Sequence, residues 1–154
     1  DSVQFCLSKG LAAPVGSMVC GTAEFITEAR RTRKVVGGGM RQAGMIAAAG
    51  IVALEQMVDR LADDHANARQ LAEGLADMPW FEVDLEGVQS NIVKFGLRPT
   101  RATLGELLQA LASRGVKLSA VSAHHFRAVT HYGIERPDID ATLSIIHAVM
   151  NELA

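Results

Sequence analysis

A single lysine follows the first apolar segment of the chain, at a place where solubility does not require it. Residues 3–7 are apolar apart from one glutamine, and Ser8, Lys9 and Gly10 come directly after them. Burial disfavours the charged form of an amine, and a neutral amine can attack a carbonyl to form a Schiff base. The spacing therefore predicts a buried strand that ends at a reactive lysine. The alternative is a lysine whose ammonium group reaches solvent from the strand end.

Three consecutive glycines form the second candidate site. Gly37, Gly38 and Gly39 precede an expected helix, and Arg41 would lie one position inside that helix. Backbone N–H groups beside the positive end of a helix bind anions, and a guanidinium group adds donors that suit phosphate or carboxylate. The pattern therefore predicts an anion site. The alternative is a tight turn that binds no ligand.

The histidines and cysteines give weaker signals. His124 and His125 are adjacent, and neighbours in a strand point to opposite faces, so no metal site is expected there. Cys6 and Cys20 lie in apolar segments without metal-binding spacing. We therefore expect buried, reduced thiols and a cytoplasmic location.

The composition is that of a globular protein. Apolar residues make up 49% of the 154 residues, charged residues make up 21%, and the net charge is −2. These values argue against disorder and give no electrostatic signature for nucleic acid or an acidic membrane. The most apolar segment, residues 43–54, is too short to span a bilayer and predicts a buried helix. A start at Asp1, directly on a strand, indicates a piece of a longer chain.

Periodicity and glycine positions predict two kinds of structure along the chain. The first half is expected to contain strands over 2–8 and 15–20, a Thr22-capped helix over 23–35, and a helical region over 40–78 that is interrupted near 58–64. The second half is expected to contain strands over 81–85, 91–97, 116–119 and 126–130, a helix over 102–114, and a helix over 139–153 capped by Asp138. Continuous apolar character predicts that the first strands are covered on both faces. The second half predicts a mostly antiparallel α+β unit.

Long motifs in the chain resemble the low-specificity threonine aldolases, which are fold-type I (aspartate aminotransferase-like) pyridoxal-phosphate enzymes. The motifs are DSVQFCLSKGLAAPVGS over residues 1–17, RKVVGGGMRQAG over 33–44, and FRAVTH over 126–131. One departure is Ala12, which stands where many relatives have glycine. If the backbone there needs a positive φ, alanine strains it.

The resemblance implies an α/β fold with two parts. Residues 1–62 would form the C-terminal part of the large pyridoxal-phosphate-binding domain, and residues 63–154 a small α+β C-terminal domain. The implied activity of the full-length enzyme is retro-aldol cleavage of β-hydroxy-α-amino acids, with threonine or allo-threonine giving glycine and acetaldehyde. The alternatives are another fold-type I lyase or a transaminase, or a non-catalytic fragment that serves only in assembly.

The resemblance also implies roles for individual residues. Lys9 corresponds to the catalytic lysine that binds pyridoxal 5′-phosphate, and Arg127 corresponds to the arginine that holds the substrate carboxylate. The implied cofactor-binding residues are Lys9, Lys34, Gly38, Gly39 and Arg41.

Other parts of the site are expected outside these residues. In this family the acid that pairs with the pyridine nitrogen lies upstream, so we expect it in a missing N-terminal half, and the general base cannot be named from this chain. The isolated chain is accordingly expected to be inactive. The implied partners are a small amino-acid substrate, the missing half, and further copies in a homodimer or homotetramer, without nucleic acid, membrane or metal.

Overall fold

An antiparallel hairpin opens the chain in the computed structural model, which describes residues 1–153. Strand β1 (Ser2–Cys6) pairs with β2 (Ser17–Gly21) in a register that places Val3 opposite Cys20. Most residues of both strands are exposed, Cys20 included, and both cysteines are reduced. The prediction of strands covered on both faces, with buried thiols, is therefore wrong for this chain.

The chain divides into two compact units, unit 1 over residues 1–60 and unit 2 from residue 61 onward. In unit 1, helix α1 (Ala23–Val35) begins as predicted, because the Thr22 hydroxyl accepts a hydrogen bond of 3.2 Å from the Phe25 N–H. Helix α2 (Gly44–Gln56) starts four residues later than predicted. The assignment of the two parts to a large and a small enzyme domain stays a prediction.

Helix α2 is apolar on every side, yet only one face of it is covered. Gly50 and Ala53 are its buried residues, whereas Met45 is 89% exposed. A helix that is apolar all round needs neighbours on every side to be buried. The described residues supply such neighbours on one face only, so the prediction of a fully buried helix is wrong. None of the described helices combines the length and hydrophobicity needed to cross a bilayer.

Unit 2 is an antiparallel sheet packed against three helices, as predicted. Its strands are β3 (Phe81–Val83), β4 (Ile92–Leu97), β5 (Ser119–Ala120) and β6 (His125–Val129), and its helices are α3 (Leu61–Ala76), α4 (Leu104–Ser113) and α5 (Arg136–Leu153). The spatial order of the strands is β3-β4-β6-β5, and every neighbouring pair is antiparallel. The break between α2 and α3, at residues 57–60, falls close to the predicted interruption.

The strands of unit 2 alternate between a core-facing and an outward-facing side. Phe95 and Phe126 are almost fully buried, whereas Lys94 and Arg127 are exposed. The three helices pack on the core-facing side, with α5 in contact with both α3 and α4. The apolar face of α3 belongs to this core, because the sheet requires a covering layer.

Polar residues end the helices of unit 2 in defined ways. At α4, the Thr103 hydroxyl accepts from the Glu106 N–H, and the Glu106 carboxylate accepts from the Thr103 N–H at 2.9 Å. The backbone and then the side-chain hydrogen bond from Thr103 lower the pKa of Glu106. Asp138 was predicted to cap α5 but lies inside its first turn, where its carboxylate accepts from the Glu135 N–H at 2.8 Å.

Candidate functional site

Lys9 lies in a tight turn that closes the hairpin of unit 1. The Ala12 N–H donates to the Lys9 carbonyl at 2.8 Å, and the Ala13 N–H donates to the Leu7 carbonyl at 3.0 Å. The Arg60 guanidinium lies 3.5 Å from the Gly10 carbonyl, at the limit of a hydrogen bond. These contacts fix the backbone around the lysine.

The side chain of Lys9 is exposed, so its predicted burial is wrong for this chain. Among the described residues, no hydrogen-bond acceptor or carboxylate is paired with its amine. The turn therefore presents the amine on a fixed backbone and leaves it accessible to a carbonyl compound.

Ala12 has the positive φ at which an alanine was expected to be strained. Its φ is +57°, and its N–H closes the turn on Lys9. A side chain in this conformation costs roughly 1–2 kcal/mol, which glycine avoids. Alanine at this position therefore strains the turn that carries Lys9.

Ala12→Gly is expected to stabilise the chain by about 0.5 kcal/mol, because strain relief exceeds the added flexibility of the unfolded chain. Urea unfolding of the two proteins measures the difference. Ala112→Gly is the matched control, since it places the same substitution at an exposed position inside α4 and should destabilise. Equal destabilisation by both substitutions would contradict strain at Ala12.

The glycine run does not form the predicted anion cradle. The Gly37 N–H donates to the Lys34 carbonyl at 3.2 Å, and the Gly38 N–H donates to the Arg33 carbonyl at 2.8 Å. With Gly37 at φ +83°, this is a Schellman motif that ends α1. The prediction of successive N–H groups exposed at a helix start is thus wrong, because two of them satisfy the carbonyls of the preceding helix.

The glycine run instead makes room for basic side chains. A Cβ atom at Gly39 would lie 2.8 Å from Cδ and 3.4 Å from Nζ of Lys34. A Cβ atom at Gly38 would lie 3.0 Å from Cγ of Arg33. The absence of side chains here therefore allows two cationic side chains to fold over the loop.

Arg41 lies outside any helix, three residues before α2, and its side chain is exposed. No described carboxylate forms an ion pair with Arg41 or Lys34. Together they give this end of unit 1 an excess of positive charge, which suits a phosphate group.

Arg127 lies in unit 2, in the middle of β6, on the outward face of the sheet. It is exposed and stands directly opposite Lys94 of β4 and Ser119 of β5. It is in mid-strand, and no carboxylate within the described residues is paired with it. Its guanidinium group can therefore donate hydrogen bonds to a carboxylate from outside the described residues.

Thr130, two residues beyond Ala128 in the FRAVTH motif, is a structural residue that sequence reasoning missed. It is 2% exposed, and its hydroxyl donates to the Asp64 carbonyl at 2.6 Å. Its N–H donates to the Asn91 carbonyl at 3.0 Å, and the Asn91 side-chain amide donates to the Thr130 carbonyl at 2.7 Å. These bonds join the end of β6 to the start of α3 and to the segment before β4. The sequence signal for this role was a threonine that directly follows an alternating strand, at a position expected to face the core.

Thr130→Val is expected to destabilise the chain by about 1 kcal/mol, because the buried hydrogen bond from the hydroxyl to the Asp64 carbonyl is lost while the side-chain shape is kept. Chemical denaturation followed by circular dichroism measures the loss. Thr130→Ser keeps the hydroxyl and should lose less than half as much. A valine variant as stable as the serine variant would show that this hydrogen bond contributes little.

Three of the histidines occupy separate surroundings. Nδ1 of His125 lies 2.9 Å from the Ser122 hydroxyl, Nδ1 of His131 lies 2.8 Å from the Tyr132 carbonyl, and His147 packs edge-on against Trp80. Within residues 1–153, no group of three or more histidine, cysteine or acidic side chains could hold a metal ion.

Comparison with known proteins identifies the relatives of this chain. It is 40% identical over 151 residues to Low-specificity L-threonine aldolase 1 of Arabidopsis thaliana, covering 97% of this chain and 42% of the relative. It is 42% identical over 139 residues to the Low specificity L-threonine aldolase of Escherichia coli K12, covering 90% of this chain and 40% of the relative. The chain therefore spans about two-fifths of the length of these relatives.

The fold is also found in solved structures. A serine palmitoyltransferase solved with pyridoxal phosphate has a TM-score of 0.77 and 21% identity, over 99% of this chain and 40% of that one. This likeness confirms the predicted fold class, that of the fold-type I pyridoxal-phosphate enzymes. The family model for beta-eliminating lyases matches residues 1–97, which include Lys9 and the glycine run. The chain belongs to the beta-eliminating lyase family.

Proposed function

We propose that this chain forms the lysine-bearing part of a pyridoxal-phosphate enzyme that cleaves β-hydroxy-α-amino acids, converting threonine or allo-threonine to glycine and acetaldehyde. The observation that carries the proposal is Lys9, an accessible amine on a hydrogen-bonded turn within the segment that the family model matches. Relatives named low-specificity threonine aldolases share 40–42% of the aligned residues. A cytoplasmic location is part of the same proposal.

The residues of unit 1 fit a phosphorylated aldehyde cofactor. Lys9 offers an amine to the aldehyde, and Gly38 and Gly39 leave room for basic side chains beside the loop. Lys34 and Arg41 supply positive charge for the phosphate. When bound, pyridoxal phosphate supplies an electron sink for the bond that breaks at the α-carbon.

Arg127 is proposed to hold the α-carboxylate of the amino acid. A bidentate guanidinium–carboxylate contact fixes the orientation of the substrate as well as its position. A fixed orientation of the substrate decides which bond at the α-carbon is presented for cleavage. Arg127 is exposed and unpaired among the described residues, as this role requires.

We propose that the remaining parts of the site lie in the portion of the full-length enzyme that this chain does not cover. These parts include the acid that pairs with the pyridine nitrogen and the base that accepts the β-hydroxyl proton. The chain alone is therefore expected to be inactive.

The surface of unit 1 supports an assembly of this kind. Large apolar side chains that are more than 40% exposed cluster in this unit: Val3, Val15, Met18, Val19, Phe25, Val35, Val36, Met40, Met45, Ile51, Val52, Leu54 and Val58. Apolar surface on this scale marks a surface that other protein covers. We propose that the unmatched part of the enzyme and a second copy cover it, in a homodimer or homotetramer.

A fusion protein tests this function. The chain is joined behind the part of the E. coli aldolase that it does not match, and products from allo-threonine are measured in the presence of pyridoxal phosphate. Glycine and acetaldehyde in equal amounts support the proposal, and the same fusion with Lys9→Ala should form neither. Transfer of the amino group to a 2-oxo acid would instead show a transaminase. Cofactor binding without either reaction would leave a role in assembly only.

A further inference from the structure

The outward face of the unit 2 sheet places two cations side by side. Lys94 of β4 and Arg127 of β6 are directly opposite in the antiparallel register, so they project from the same face. Directly opposite residues have Cβ atoms about 4.5–5.5 Å apart, and like charges there are destabilising. An arrangement that costs stability without an evident structural gain suggests a ligand that compensates for it.

No described carboxylate forms an ion pair with Lys94 or Arg127. Neither side chain forms an ion pair or hydrogen bond with any described residue. Glu82 and Asp84 line the same cavities as Lys94, but neither carboxylate forms an ion pair with it. On its other side Arg127 is opposite Ser119, which carries no charge.

The face also has room for a small ligand. Lys94 lines two shallow cavities of about 300 and 400 Å³, one of which extends over Gly96 to His125. Gly96 has no side chain to fill this space, and the three helices lie on the opposite face of the sheet. Arg127 lines neither cavity, but Lys94 and Arg127 are both exposed on this face, so a carboxylate in solvent has access to each of them.

We propose that Lys94 is a second positioning residue for the substrate carboxylate, which it holds jointly with Arg127. This inference rests on the proposed function, because it takes Arg127 as the carboxylate ligand. A carboxylate has about four acceptor positions, so it can accept both hydrogen bonds of a guanidinium fork and a further one from an ammonium group. Lys94 would strengthen binding of the carboxylate without touching the bond that breaks.

Binding of acetate to the 154-residue chain tests the inference. Backbone and Arg side-chain N–H resonances are followed by NMR as acetate replaces chloride at constant ionic strength. Saturable shifts are expected at β4 and β6. Lys94→Gln should raise the half-saturating acetate concentration about fivefold, the effect of removing one exposed charge pair. Lys117→Gln, an exposed lysine outside the strands, is the matched control and should change nothing.

A second measurement separates this role from a structural one. The inference requires Lys94 and Arg127 to repel each other when no carboxylate is bound. Lys94→Gln should therefore raise the melting temperature of the protein in chloride, and acetate should then raise the melting temperature of the variant by less than it raises that of the unaltered chain. A lysine that stabilised the sheet would show the opposite sign in chloride. A lower melting temperature of the variant in chloride would therefore overturn the inference.

The remaining outcomes distinguish the inference from the proposed function. If Arg127→Gln abolishes acetate binding and Lys94→Gln has no effect, Arg127 acts alone, so the inference fails and the proposed function stands. If Lys94→Gln weakens binding and Arg127→Gln does not, both the joint site and the proposed role of Arg127 fail. The absence of a saturable shift in the unaltered chain would show that the face has no carboxylate site, which overturns the inference.

Discussion

Lys9→Ala is expected to remove most of the covalent attachment of pyridoxal phosphate to this chain when the cofactor is limiting. Lys9 is accessible on a backbone held by the Ala12-to-Lys9 hydrogen bond, and only an amine can condense with the aldehyde. The measurement is incubation with limiting pyridoxal phosphate, borohydride reduction, and mass spectrometry of the peptides. The chain has four lysines, so the labelled position can be assigned without ambiguity. This readout does not depend on catalysis.

Two variants control for charge and for general lysine reactivity. Lys9→Arg keeps the positive charge but should lose the label as completely as the alanine variant. Lys117→Ala, which removes an exposed lysine far along the sequence, should keep labelling at Lys9. Equal labelling of all four lysines in the unaltered chain would count against a specific role for Lys9.

Phe126→Ala is expected to destabilise the chain by about 3–5 kcal/mol, because it removes a fully buried aromatic ring and leaves a cavity. Phe126 stacks on Phe95 at a centroid distance of 5.0 Å, and Phe95 meets Phe81 edge-on at 5.4 Å. The three rings join three strands on the core-facing side of the sheet. Since domains are stable by about 5–15 kcal/mol, this loss would bring the sheet close to unfolding at room temperature.

Urea unfolding followed by Trp80 fluorescence measures this effect, since Trp80 packs against the same core. Phe126→Leu fills most of the space and should lose clearly less. Val129→Ala, in the same strand but 43% exposed, should lose less than about 1 kcal/mol. Similar losses for Phe126→Ala and Val129→Ala would show that the aromatic stack does not hold the sheet together.

Local features of the fold were predictable from the sequence because they depend on neighbouring residues. Thr22 caps α1 through a bond to a residue three positions away, and Thr103 caps α4 in the same way. The alternation in β4 and β6 follows from the two faces of a strand. Strain at Ala12 could also be predicted from the sequence on the condition that its φ is positive, and the structure supplies that φ.

The role of the glycine run could not be predicted from the sequence alone. Its sequence is compatible with a helix start and with a helix end. The structure has Gly37 and Gly38 completing α1, and α2 begins only at Gly44. The N–H groups of the glycine run can either donate to the last carbonyls of α1 or stay free at the start of the next helix. Composition does not reveal which of the two occurs.

The sequence by itself determined the elements, the family and the candidate residues, because periodicity, caps and motifs are recorded in local spacing. Only the tertiary structure decided which of these residues become neighbours. It placed Lys94 opposite Arg127, bound Thr130 to the Asp64 carbonyl, and left Lys9 and the apolar faces of unit 1 exposed. Strand register and side-chain burial depend on contacts between segments far apart in the chain. Local spacing in the sequence does not record which segments will meet.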